Sequence, residues 1–406
     1  MPDPRKASVA FIMIVLVLDA LGIGVVIPVL PRVIEGFLHG DLAVASRTYG
    51  WFIALYAVMQ FVFAPIVGGL SDRFGRRTVI LTSLAGAALD YVLLAFAPTL
   101  GWLFVGRIFA GMTGASFSAA TAYIADVTPP EKRAASFGMI GAAFGIGFIL
   151  GPAVGGLLGG VSLRAPFLLA AALNFMNFVY GVFVLPESLS KENRRPFSWR
   201  RANSLGAMKN LGRNPIMFGL TATIVCGFLA GSILQCTWAL HTEARFGWTP
   251  VDIGLSLVVV GLSSAIIQGG LVRKVIPWLG ERRAVVVGLC FSVAGYVGLG
   301  LANRGWIIIA LIFPFALGGF VEPSLKSLLT REVGPKEQGE LQGSLGSLMS
   351  VTAIVGPLLG TTLFSRFAPA NSSPRIPGIA FFAAATLNAI GLLLAMRLFA
   401  KLKRAA

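Results

Sequence analysis

Four ionisable residues interrupt long apolar runs of this 406-residue chain: Asp19, Asp90, Arg107 and Glu322. A charge in the middle of a bilayer is costly and persists where it faces a wet pathway or an opposite charge, so these four are read as a route for protons, ions or polar solutes. A carboxylate such as Asp19 or Asp90 can alternate between a neutral acid sealed from water and an anion open to a cavity, which is the chemistry of a proton carrier. The plainer reading of each is a satisfied polar contact with a neighbouring helix. Arg107 suits either an ion pair with one of these acids or a contact to solute. Glu322 has Lys326 one helical turn later on the same face. It reads as one end of a bridge at an inner gate, or as a proton-exchanging acid of the second half.

Other chemistry is absent from the pattern. His39 and His241, the only histidines, are expected in outer loops, and Cys226, Cys236 and Cys290 all fall in apolar runs. That distribution speaks against a disulfide framework or a metal site. The Gly145-Ile-Gly147 stretch has no preceding strand and lacks the third glycine of a dinucleotide loop, and no Walker A sequence occurs. The expectation is therefore a protein that is not an enzyme, has no organic cofactor and uses no ATP.

Membrane-crossing helices are the elements that would position such residues. The chain is 56% hydrophobic and 12% charged, with a mean hydropathy of +0.82, which excludes an ordinary soluble enzyme. Its apolar runs are about 20 residues long, enough for a helix to cross a hydrocarbon core of about 30 Å. They do not alternate as barrel strands would. Twelve spans are expected, near 8–31, 47–70, 78–97, 101–124, 134–158, 163–185, 214–240, 249–272, 284–301, 305–325, 339–364 and 376–400. The first is too long for a signal peptide and carries Asp19 in its middle, so it reads as a retained helix.

The net charge of +16 is a topology signal. With the N-terminus inside, 25 of the 33 Lys and Arg fall in inner segments; the outer loops hold Arg32, Arg47, Arg164, Arg245, Arg304, Arg366 and Arg375. Positive residues stay cytoplasmic, so both termini are expected there, with attraction to anionic headgroups of the lipid bilayer and no nucleic-acid partner.

The polar stretch Pro186 to Arg213 divides the chain into residues 1–185, a six-helix bundle, a cytoplasmic central loop 186–213, and a second bundle 214–406. The halves match at an offset of 205: Gly75 with Gly280, Arg77 with Arg282, Pro130 with Pro335, Gly138 with Gly343, Gly141 with Gly346, Gly151-Pro152 with Gly356-Pro357, and Gly155 with Gly360. Duplicated six-helix units mark secondary transporters, with the solute site between the halves. Gly147, Gly151, Gly155 and Gly159 form one helical stripe, which suits tight packing alone or a hinge; Pro152 and its copy favour the hinge.

The stretch Gly68-Gly-Leu-Ser-Asp-Arg-Phe-Gly-Arg-Arg77 concentrates Asp72, Arg73, Arg76 and Arg77 between two apolar runs. It reads as a gating charge cluster or as an anchor in a solvated loop, with Asp126 and Arg133 as a further gating pair. Polar candidates for a solute cavity are Gln60, Ser116, Thr121, Asn174, Asn177, Gln235, Gln268 and Asn388, with Tyr56, Phe117, Trp238 and Phe320 as aromatic surfaces for a planar solute. Plain helix packing is the competing reading of each.

These stretches resemble the drug:proton antiporter branch of the major facilitator superfamily, and within it the tetracycline efflux pumps. Gly68 to Arg77 is similar to the loop 2-3 signature, Gly106-Arg107-Ile-Phe-Ala-Gly111 to the fourth-helix signature and Gly151-Pro-Ala-Val-Gly-Gly156 to the fifth-helix antiporter signature. Leu18-Asp-Ala-Leu-Gly-Ile-Gly24, Ala88-Leu-Asp90-Tyr, Tyr123-Ile-Ala-Asp126 and Arg245-Phe-Gly-Trp248 point toward the tetracycline group. The resemblance implies an all-α membrane protein of two pseudo-symmetric six-helix bundles in a bacterial-type cytoplasmic membrane. It implies export of a small amphipathic drug or metabolite in exchange for protons, with H⁺ as coupling ion and a divalent cation bound to the solute if tetracycline is carried; a monomer is expected. It also favours gating for Asp72 and Arg76. One departure is plain: the pumps carry an acid in the ninth helix, where this chain has Ser292. The alternatives are a proton-coupled exporter of a metabolite or sugar on the same fold, and a membrane sensor that does not transport.

Overall fold

The computed structural model describes residues 4–114, 116–129, 133–194, 214–334 and 337–405. Pro130, Pro335 and residues 195–213 of the expected central loop lie outside the described residues, as do the side chains of Ser116, Phe117 and Arg133.

All regular elements among the described residues are helical. The first half comprises α1 (Pro4–Val26), α2 (Leu30–Phe37), α3 (Leu42–Phe74), α4 (Arg76–Phe96), α5 (Leu100–Thr113), α6 (Ser116–Val127), α7 (Arg133–Val161) and α8 (Ala165–Val184). The second comprises α9 (Pro215–Phe246), α10 (Pro250–Ile266), α11 (Val272–Leu279), α12 (Glu281–Leu301), α13 (Gly305–Ala316), α14 (Val321–Arg331), α15 (Gln338–Phe367) and α16 (Ile379–Ala405). Among the described residues ten helical stretches are long and apolar enough to cross a membrane, and α1 with α2, bent by 44°, makes an eleventh. The twelfth expected region is filled by α5 and α6, which break at Gly114.

Several expected single spans are thus interrupted. Pro28 and Pro31 remove backbone donors at the α1–α2 bend. A π-helical segment, Ile267–Leu271, joins α10 to α11, and a 3-10 segment, Leu317–Phe320, joins α13 to α14. Paired glycines sit in both: Gly269 with Gly270, and Gly318 with Gly319. The outer-loop placement of His241 is corrected. Helix α9 runs on to Phe246, stops at Gly247 with φ 67°, and buries His241 with Nδ1 3.1 Å from the Pro377 carbonyl. The polar residues there do not end the helix because their hydroxyls bond its own backbone, Thr237 to Ile233 O at 2.7 Å and Thr242 to Trp238 O at 2.9 Å.

Duplication is visible in the elements themselves. Helices α4 and α12 are each 21 residues long and begin 205 positions apart. Each follows a glycine in the left-handed region, Gly75 at φ 104° and Gly280 at φ 80°. A side chain there would be strained, so the matched glycines set the same turn twice.

Two compact units form. Unit 1 holds Met1–His39, Leu55–Asn203 and Thr249–Val258, so it includes the first residues of α10. Its α1 packs along α7 and α8, and α4 along α8 and α5, around Phe11, Leu16, Ile80, Leu84 and Tyr123. Unit 2 holds Gly40–Ala54, Ser204–Trp248 and Val259–Ala406, including the start of α3. There α9 packs on α15 and α16, and α12 on α16, around Leu220, Ile224, Leu289, Leu325 and Leu345.

Candidate functional site

At the α3–α4 junction of unit 1, Gly75 turns the chain so that Asp72 ends one helix and Arg76 starts the next. Arg76 pairs with Asp72 at 2.6 Å and with Asp126 of α6 at 3.3 Å, and it donates to Ser71 Oγ at 3.2 Å. An exposed pair is worth roughly 0.2–1 kcal/mol, but three acceptors on one mostly buried guanidinium hold it in place. Glu187, just beyond α8, accepts from the Arg76 backbone N–H at 2.8 Å and so caps the first turn of α4. Its second carboxylate oxygen occupies the space a Cβ on Gly75 would need. Ser188 donates to Asp126 at 3.0 Å, Tyr123 to Pro186 O at 3.1 Å, and Arg77 to Val182 O at 2.6 Å. Residues 186–189 therefore strap the junction to α6. Arg73 is exposed, its guanidinium 5.1 Å from the Phe74 ring centre. The expected partner of Asp126, the Arg133 side chain, lies outside the described residues. Glu187 and Ser188 escaped the sequence reading because nothing local distinguishes them from solvated loop.

Deeper in unit 1, Asp90 of α4 and Arg107 of α5 form an ion pair at 2.5 Å, their side chains 2% and 14% exposed. Gly106 leaves room for it, since a Cβ there would lie 2.6 Å from Asp90 Oδ1. The Tyr56 ring of α3 lies 5.6 Å from the Arg107 guanidinium, a cation–π distance. Gln60, one turn on, donates to Gly114 O at 3.3 Å, tying α3 to the α5–α6 break. Asn174 of α8 and Tyr91 of α4 flank Gly22 of α1, at 3.2 and 3.3 Å from where its Cβ would stand. Asp19 precedes Gly22 by almost one turn of α1. Asn177 is buried beside Asn174 on α8. Residues read separately from sequence are thus gathered from α1, α3, α4, α5 and α8. Removing one partner of a buried pair leaves a bare charge, at a cost of about 3–5 kcal/mol.

Unit 2 contains a cavity of about 390 Å³ whose wall includes Gln268, Ser292, Tyr296, Glu322, Lys326 and Asn388. Lys326 pairs with Glu322 at 2.6 Å. Ser292 of α12 fills the space over Gly318 of the 3-10 segment, so the α12 hydroxyl and the α14 acid line one space. Trp238 and Phe320 are buried in helix packing, Phe320 with Ile267 and Ala284, while Gln235 is exposed on α9. Phe117 lies on α6.

The glycine stripe is a backbone contact. A Cβ on Gly151 would lie 2.8 Å from the Gly24 Cα, and one on Gly155 would overlap the Val25 carbonyl, so α1 and α7 touch main chain to main chain. In unit 2, Gly356 and Gly360 let α15 approach α9, where a Cβ on either would meet side chains, that of Ser232 for Gly356 and that of Ile233 for Gly360. Pro152 and Pro357 stay inside continuous helices. Among the described residues no three His, Cys, Asp or Glu gather to hold a metal.

Long apolar helices in duplicated halves, with the Asp90–Arg107 pair buried among them, define a multi-pass membrane protein. The model of the Major Facilitator Superfamily matches residues 12–357, and the chain belongs to that superfamily. It is 42% identical over 380 residues to the tetracycline resistance protein, class C, of Escherichia coli, covering 93% of this chain and 95% of that one. It is 30% identical over 350 residues to multidrug resistance protein 2 of Bacillus subtilis, covering 85% of each. The crystal structure of the human organic anion transporter MFSD10 (TETRAN) superposes with a TM-score of 0.70 at 24% identity, over 97% of this chain and 100% of that one, a likeness of fold.

Proposed function

We propose that this protein is a proton-coupled efflux antiporter that exports amphipathic small molecules, tetracycline-type compounds among them, across a bacterial-type cytoplasmic membrane with both termini cytoplasmic. The observation that carries the reading is the buried Asp90–Arg107 pair, set in a chain 42% identical to a tetracycline resistance protein. A proton entering from outside neutralises a carboxylate of the first half, Asp90 or Asp19. Protonated Asp90 no longer balances Arg107, so proton occupancy biases how α4 and α5 sit and favours release of drug outward. The Asp72–Arg76–Asp126 cluster, with Arg73 and Arg77, and the Glu322–Lys326 bridge act as inner gates, the former strapped by Glu187. Gly151, Pro152, Gly155, Gly356 and Pro357 provide the close surfaces on which helices shift. Tyr56, Gln60, Phe117, Asn174, Gln235 and Gln268 contribute polar and aromatic contacts to solute. The protein works as a monomer without organic cofactor; a divalent cation travels with the solute if tetracycline is carried. Ser292, in place of the acid of the tetracycline pumps, favours a second reading in which the cargo is an amphipathic metabolite. Drug uptake into inverted vesicles tests the proposal. Collapse of the pH gradient should stop uptake and ATP depletion at fixed gradient should not; uptake that persists without any proton or potential gradient overturns it.

A further inference from the structure

We infer that the cavity of unit 2 is a ligand site in which Glu322 takes the protonated amine of an amphipathic solute, displacing Lys326. The inference rests on the efflux reading and names the solute group it selects.

Among the described residues the wall combines one carboxylate, one ammonium, the amides of Gln268 and Asn388 and the hydroxyl-bearing Thr223, Ser292 and Tyr296 with apolar residues such as Ile224, the composition of a small-molecule site. The backbone is irregular on two sides of it. Gln268 sits in the π-helical segment and Gly318 and Gly319 in the 3-10 segment, and the two segments abut, a Cβ on Gly319 falling 3.8 Å from Gln268 Cγ. Such departures from α geometry recur at functional sites, and at membrane depth they occur where backbone lines a cavity.

The Glu322–Lys326 pair has the character of an exchangeable contact. It joins residues four apart on one helix, with side chains 53% and 39% exposed, so its loss leaves neither charge sealed inside packed protein. The Asp90–Arg107 pair is the contrary case, with the carboxylate 2% exposed. Lys326 can swing aside on its flexible four-carbon stem. Glu322 is then the one carboxylate among the described residues of the wall, and an arriving ammonium replaces the charge that leaves.

The test uses the purified full-length protein and two probes with the same ring system, doxycycline and 4-dedimethylaminodoxycycline, which lacks the amine. Equilibrium binding is read from ligand fluorescence. Wild type should prefer the amine-bearing probe by about tenfold, the weight of one charged contact. Glu322→Gln should bring the two within about twofold, and Lys326→Met should keep the preference. Glu322→Asp, which retains the charge, should keep it too and guards against misfolding. A preference that survives in a monodisperse Glu322→Gln protein overturns the inference, as does its absence from wild type or binding of neither probe. Proton-driven uptake by wild-type inverted vesicles is measured in parallel. Intact uptake without amine preference rejects this site alone; an amine preference without uptake rejects the efflux reading alone.

Discussion

Arg76 and Glu281 occupy the same position of the duplicated halves and carry opposite charges. Each opens a 21-residue helix behind a positive-φ glycine, and each pairs with a residue fifty positions on: Arg76 with Asp126 at 3.3 Å, Glu281 with Arg331 at 2.6 Å. The pair is kept and its polarity is reversed. Glu281 at the start of α12 suits the positive end of the helix dipole, whereas Arg76 at the start of α4 opposes it. Glu187 restores the balance by bringing its carboxylate to the Arg76 N–H. The second half needs no such strap, because its acid belongs to the helix.

Glu281→Arg alone should therefore lower stability, by setting two arginines together and reversing the charge at the α12 N-terminus. Adding Arg331→Asp should recover most of the pair's share while the helix-end share stays lost. For a pair with Arg331 67% exposed, each share is about 1 kcal/mol or less. Thermal melts of the purified protein would read this as a drop of a few degrees, partly recovered in the double variant; an additive double variant would show that the pair does not couple.

Glu187→Ala should uncap α4 and cost about 0.5–2 kcal/mol, the usual range for a lost helix cap. Glu187→Gln keeps an acceptor oxygen and should lose less. Protease accessibility of the segment after α8 should rise in the alanine variant and stay low in the glutamine variant, because that contact holds the strap together with the Ser188 and Tyr123 bonds.

Arg107→Ala should reduce folded yield more than Asp90→Asn, since it leaves a carboxylate 2% exposed without its cation. Gly106→Ala tests the geometry separately, because its methyl would crowd Asp90 Oδ1 from 2.6 Å. If the proposed proton-driven export is correct, it should fall by about tenfold, equivalent to about 1.4 kcal/mol, in protein that still inserts. Wild-type export from Gly106→Ala would show that the pair tolerates displacement.

Gly155→Ala should be severe and Gly145→Ala mild, though both lie on α7. The first methyl meets the Val25 carbonyl and forces α1 and α7 apart, while the second has nothing within 4 Å. Overpacking of this kind costs roughly 1–3 kcal/mol, read as loss of monodisperse protein and a lower melting temperature.

Much of this protein is determined by its sequence alone. Runs of apolar residues declare membrane helices because hydropathy accumulates along the chain, and the repeated Gly75 and Gly280 declare the duplication because a left-handed turn has few substitutes. The loop 2-3 charges and the rarity of Asp90 and Arg107 among apolar neighbours are visible in the same local way. Partner choice is different. Arg107 had Asp19 and Asp90 to choose between, and each residue along a helix turns a side chain by about 100°, so only the packed rotation of α1, α4 and α5 selects Asp90. Glu187 reaches Arg76 across 111 residues, a contact no window of sequence contains. The burial of His241 and the π and 3-10 segments that set Glu322 beside Gln268 follow likewise from how helices pack. Composition fixes which residues can be helical and buried; tertiary packing decides which of the isolated polar groups meet.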